Sequence, residues 1–172
     1  MSVTLPESVD AWRMVSARRS FAGALPVSAM PRLCEALAGT EGAVEYVLDF
    51  GRDEFGTAYL DVRVKAPLTM LCQRSLEPFV LPVAIESRLG LIRAEREEAA
   101  LPPGSEPLLV GEDGKLNPAE VIEDELLLAL PLVPVDPDSA LPDEVVGPGP
   151  EESSDGEGRS DNPFAVLREL KK

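Results

Sequence analysis

Three carboxylates at helical spacing are the first residues in this chain that could do chemistry. The stretch Asn117 to Pro137 reads NPAEVIEDELLLALPLVPVDP, and it sets Glu120, Glu123 and Asp124 at i, i+3 and i+4. On a helix that spacing puts all three on one face. Glu123, Asp124 and Glu125 are also consecutive, and paired carboxylates can serve a hydrolase. They do so only when they converge across a cleft, and adjacent helical residues point apart. Two readings follow. Either the acids form the solvated face of an amphipathic helix that docks through Ile122, Leu126 and Ala129 or Leu130, or the same face is presented to a basic partner. Glu120, Glu123 and Asp124 are therefore candidate partner-binding residues.

The chain has no histidine, so the commonest general base and the commonest zinc ligand are both missing. Cys34, Cys72 and the hydroxyl side chains have no imidazole to activate them, and no nucleophile–base pair can be assembled. Gly104, Gly111 and Gly114 have turn spacing, not the spacing of a phosphate-binding loop. We expect no catalytic residues, no metal and no cofactor. The basic side chains suggest a different use. Arg63 and Lys65 share the wet face of one strand and Arg74 follows in a turn. With Arg13, Arg18, Arg19 and Arg88 they are candidates for direct RNA contact. The competing reading is that Arg63 and Lys65 simply keep an open sheet face soluble.

Charge separates the two halves. The 172 residues carry a formal net charge of −15. Residues 1–94 hold 10 basic and 11 acidic side chains, residues 95–163 hold 3 and 19, and residues 164–172 hold 3 and 1. An acidic half repels phosphate backbones and attracts basic proteins.

The elements that must position these groups are legible from local pattern. Asn117 is a good N-cap, Pro118 suits the first helical position, and Pro131 must stop the helix. Residues 1–20 read as a solvated N-terminal strand around Trp12, and Phe21–Leu25 as a short apolar run. Ser28 opens a helix over Ala29–Ala38, ended by Gly39. Val44, Tyr46, Leu48 and Phe50 alternate with polar residues. So do Ala58 to Lys65, Leu68 to Cys72 and Phe79 to Ile85, with a further strand over Arg88–Arg93. Glu95–Ala100 suits a short helical turn, and Gly111–Gly114 suits the turn of a small hairpin between Leu108–Val110 and Lys115–Leu116. The fold class expected is α+β: an antiparallel, sheet-dominated single domain over residues 1–135 with a few flanking helices. Residues 136–161 read as a disordered acidic linker. Residues 162–172 read as a short amphipathic motif whose Phe164 and Leu167 are candidate partner contacts. No signal peptide or membrane-spanning run is evident, so a cytoplasmic protein with free thiols is expected. No feature specifies an oligomeric state.

Three motifs carry a resemblance. They are Leu71-Cys72-Gln73-Arg74-Ser75-Leu76-Glu77-Pro78-Phe79, then Val121-Ile122-Glu123-Asp124-Glu125-Leu126-Leu127-Leu128-Ala129-Leu130-Pro131-Leu132-Val133-Pro134-Val135, and finally Asn162-Pro163-Phe164-Ala165-Val166-Leu167. In that order and at that spacing, the chain resembles the YceD family of bacterial proteins over nearly its whole length. The resemblance implies a role in accumulation, processing or stability of large-subunit (23S) ribosomal RNA. It implies no catalytic activity. The expected partner is a basic ribosomal protein or assembly factor, with rRNA itself as the alternative. Many members read Cys-x-x-Cys in the first motif, with a histidine and sometimes a further cysteine after the proline-rich stretch, a set able to bind metal. Here Ser75 and Asp136 stand at two of those positions and no cysteine follows. No closed zinc site is expected, and Cys72 is expected to pack inward beside a turn at Arg74–Pro78.

Overall fold

A computed structural model describes residues 5–139. Its frame is a five-stranded sheet of order β2-β3-β4-β5-β6, in which β2 is Ser20–Pro26, β3 Ala43–Arg52, β4 Ala58–Leu71, β5 Pro78–Ile92 and β6 Glu106–Leu109. The first four form an antiparallel meander. The period-2 alternation does what it should: Val44, Tyr46, Leu48, Leu60, Val62, Val64 and Leu68 are all buried on one face, and their neighbours line an open one. Three helices cover the buried face, α1 (Ala11–Ser16), α2 (Pro31–Ala36) and α3 (Pro118–Ala129). Met30, Leu33, Ile122 and Leu126 are buried with the strand residues.

Several expectations need correction. The N-terminal segment is not one solvated strand: Val9–Asp10 forms a short β1, and Asp10 caps α1 by accepting from the Arg13 N–H at 2.9 Å. The second helix begins at Pro31, after a 3-10 turn at Val27–Ala29. The pieces expected after residue 58 merge into two long strands, β4 with 14 residues and β5 with 15. Pro67 and Pro82 face each other in the β4–β5 register and do not interrupt it.

The sheet is mixed, because β6 runs parallel to β5. The hairpin at Gly111–Gly114 does not form either. Lys115–Leu116, strand β7, pairs instead with Val9–Asp10, a partner more than a hundred residues away that no local pattern announces.

On the open face, large side chains cover glycines opposite them. Tyr59 pairs with Gly51 in the register, and a Cβ on Gly51 would stand 2.5 Å from the Tyr59 hydroxyl oxygen. The absent side chain lets the ring lie flat, and the Arg88 guanidinium stacks on it 4.3 Å from the centroid.

Candidate interaction surface

The acidic helix starts where its capping chemistry dictates. The Asn117 side chain accepts from the Ala119 and Glu120 N–H groups at 3.0 and 3.4 Å. Asn117 Nδ2 donates in turn to Glu120 Oε1 at 3.0 Å. Glu120 is thus exposed and half-engaged at the first turn. The helix ends at Ala129, ahead of Pro131.

The other two candidate acids behave differently from an open acidic face. Glu123 is only 4 % exposed. Its Oε1 accepts from the Leu33 N–H at 3.0 Å, and its Oε2 accepts from Arg32 Nε at 3.1 Å. Asp124 is exposed, and its Oδ1 accepts from Arg32 Nη1 at 2.6 Å. The cause lies in α2. That helix opens with Met30, which provides no side-chain cap, and Pro31, which has no N–H. One of the orphan donors of its first turn, the Leu33 N–H, therefore takes a carboxylate from α3. Arg32 holds its proton more strongly than an isolated arginine because it hydrogen-bonds Asp124 and Glu123. Sequence reasoning missed Arg32 altogether; an uncapped Met30-Pro31 start was the available signal. Glu125, treated as part of a solvated run, is also buried, and its Oε2 accepts from the Ser87 hydroxyl at 2.6 Å.

A second constellation forms around Cys72, which is fully buried as expected, beside a turn in which Cys72 N–H bonds Glu77 and Leu76 N–H bonds Cys72. The sulfur receives the Asp136 N–H at 3.3 Å and the Ser75 N–H at 3.5 Å, and lies 3.3 Å from the Ser139 hydroxyl. Burial pushes the thiol up, but hydrogen bonding with Ser139, Ser75 and Asp136 outweighs it and brings it down to about 6. Arg74 completes the clasp: Nε donates to Ser139 Oγ at 2.9 Å and Nη2 to the Asp136 carbonyl at 2.8 Å. Asp136 and Ser139, read from sequence as linker, are therefore hydrogen-bonded to this turn. The donor set does not suit a closed metal site: around the single thiol stand two backbone N–H groups and a serine hydroxyl, and no second thiol or carboxylate side chain joins it among the described residues. No group of three or more Cys, Asp or Glu stands where it could hold a metal among the described residues.

The candidate RNA contacts are dispersed. Arg74 is committed to the clasp. Arg63 pairs with Asp49 at 2.6 Å, and the Ser20 hydroxyl and Arg63 together hold the Asp49 carboxyl below its ordinary value. Lys65 is exposed and makes no ion pair among the described residues. Both basic residues overlook a shallow basin of about 890 Å³ floored by Ala22, Ala24, Val47 and Ala84. Glu45 faces Lys65 and Glu86 faces Arg63 in the register, so signs alternate across the basin. The Arg93 guanidinium lies over the Trp12 ring, 4.4 Å from its centroid. Phe164 and Leu167 lie outside the described residues. No described helix is long and apolar enough to cross a membrane.

The profile of the family described as "Large ribosomal RNA subunit accumulation protein YceD" matches residues 60–171. A Haemophilus influenzae protein carrying that same description is 29% identical over 173 residues, covering 98% of this chain and 97% of that protein. No solved structure matches. The matched span takes in β4 from Leu60 onward, the Cys72 turn, the acidic helix and nearly all of the C-terminal stretch, and on that match the chain belongs to the YceD family.

Proposed function

We propose that this protein is a non-catalytic ribosome-biogenesis factor that supports synthesis, processing or stability of 23S rRNA by holding a basic ribosomal protein or assembly factor. Family membership supports the rRNA connection, as does the description of the Haemophilus influenzae relative. The observation that carries protein contact is the placement of acid: 19 acidic against 3 basic side chains in residues 95–163. Such a surface repels a bare phosphate backbone and attracts a basic protein. Of the α3 acids, Glu120 and Asp124 remain exposed to a partner. Glu123 contributes by fixing α3 to α2. Phe164 and Leu167 supply a second, apolar contact. The protein acts in the cytoplasm, where ribosomes are assembled. Pull-down with the full chain recovers basic large-subunit proteins and loses them at high salt; recovery of naked rRNA and no protein contradicts this reading.

Direct RNA binding is the second reading, and Lys65 beside Arg63, exposed and without an ion pair among the described residues, favours it. Lys65→Glu combined with Arg63→Glu then weakens binding to large-subunit rRNA; an unchanged affinity ends that reading.

A further inference from the structure

A groove of about 350 Å³ runs between α3 and the edge strand β6. Leu89, Leu108, Val121 and Leu127 line it, and Pro107 and Leu128 stand at its sides. Leu128 is 77% exposed, an unusual position for a large apolar side chain beside a concave apolar surface. Among the described residues β6 has only β5 as a neighbour, so no described strand covers the groove on that side. Pro107 has no N–H to donate, which disfavours an added strand there. The groove therefore receives side chains, not a backbone ladder.

Its charge is all of one sign. Glu106, Asp124 and Glu125 are the ionisable residues lining it. Asp124 is shared with Arg32. Glu125 is not shared with any cation among the described residues. It is 8% exposed, and its one side-chain hydrogen bond is the neutral Ser87 hydroxyl on Oε2. A carboxylate removed from water is ordinarily matched by a cation. Glu125 lacks one among the described residues and stands on the wall of an apolar groove open to the outside.

We infer that the α3–β6 groove takes a basic, leucine-bearing segment of a partner protein, with an arginine or lysine of that segment pairing with Glu125. An apolar neighbour of that residue beds against Leu108 and Leu128. An arginine suits the site well, because its flat, weakly hydrated guanidinium can lie along apolar walls while its fork meets the carboxylate. RNA does not fit, because three carboxylates face any phosphate that approaches. The inference rests on the proposed function in taking the partner to be a basic protein, and it specifies where that partner binds and by what chemistry.

The test uses the full chain in cells. A photoreactive residue replaces Leu128, and the crosslinked peptide is identified by mass spectrometry; in parallel, Glu125→Gln and Leu128→Glu are compared with wild type for co-sedimentation with large-subunit precursors. Val80→Ser, on the open face of β5, is the control. The expected crosslink is to a segment of another protein containing arginine or lysine with leucine; a crosslink to this chain's own residues 164–172 overturns the inference. Both groove variants are expected to lose association about tenfold or more, with Val80→Ser unchanged. Glu125→Gln keeps side-chain volume and the Ser87 hydrogen bond, so its melting curve is expected to match wild type or exceed it. A crosslink to RNA, a crosslinked segment without basic residues, no crosslink, or a Glu125→Gln protein that associates like wild type overturns the inference. If wild type fails to co-sediment, the ribosomal reading falls, and the chemistry of the Leu128 crosslink still decides the groove.

Discussion

A carboxylate buried between two helices survives there only if its oxygens find donors. Glu123 finds two, the Leu33 N–H and the Arg32 guanidinium. Replacing it with alanine strands that N–H. Glu123→Ala is expected to cost about 1–3 kcal/mol, read as a lower urea midpoint; an unchanged midpoint contradicts the geometry. Cys72 makes a prediction in pH. Its thiol is brought down to about 6 in the fold, against roughly 8.5 for a free cysteine, so the native state favours the thiolate. That stabilisation is fully present above the unfolded value and is lost as pH falls through about 6. Urea unfolding from pH 9 to pH 5 is expected to show this loss in wild type and a flatter profile in Cys72→Ala. Equal slopes in the two proteins refute a thiolate clasp.

Elements held by local chemistry were legible, and those held by distant partners were not. The limits of α3 are written in Asn117, Pro118 and Pro131, all within one turn of the ends they control. Asn117→Ala is accordingly expected to destabilise the protein by about 1 kcal/mol, measured by thermal melting. Leu126→Ala, at a fully buried position, is expected to cost more, about 2–5 kcal/mol; the reverse order would place the wrong face of α3 inward. Which acids on that helix turn inward was not legible. Ile122 and Leu126 mark the buried stripe, but Glu123 joins it because α2 lacks a cap, and Leu33 lies 90 residues earlier in the chain. Strand pairing divides in the same way. Alternation gave the strands of the meander, whereas the parallel β6 and the β1–β7 pair depend on the path of intervening chain. The Cys72 clasp is a mixed case. Its turn follows from Arg74–Pro78, but the return of Asp136 and Ser139 to the sulfur is a tertiary fact.

Across the whole molecule, charge and fold are arranged on opposite terms. The sheet's open face balances its signs through pairs such as Arg63–Asp49 and Arg88–Asp61, and the later half leaves its acid largely unbalanced. That contrast was visible in sequence as composition, and it underlies the proposal that the protein grips a basic partner. The most direct measurement is sedimentation of cell extracts at low and high salt, with the protein followed across the gradient. The account predicts that it travels with large-subunit precursors at low salt, crosslinked there to a basic protein, and is released as ionic strength rises. A protein that remains at the top of the gradient at every salt concentration, or that binds purified large-subunit rRNA tightly with no protein present, would contradict it.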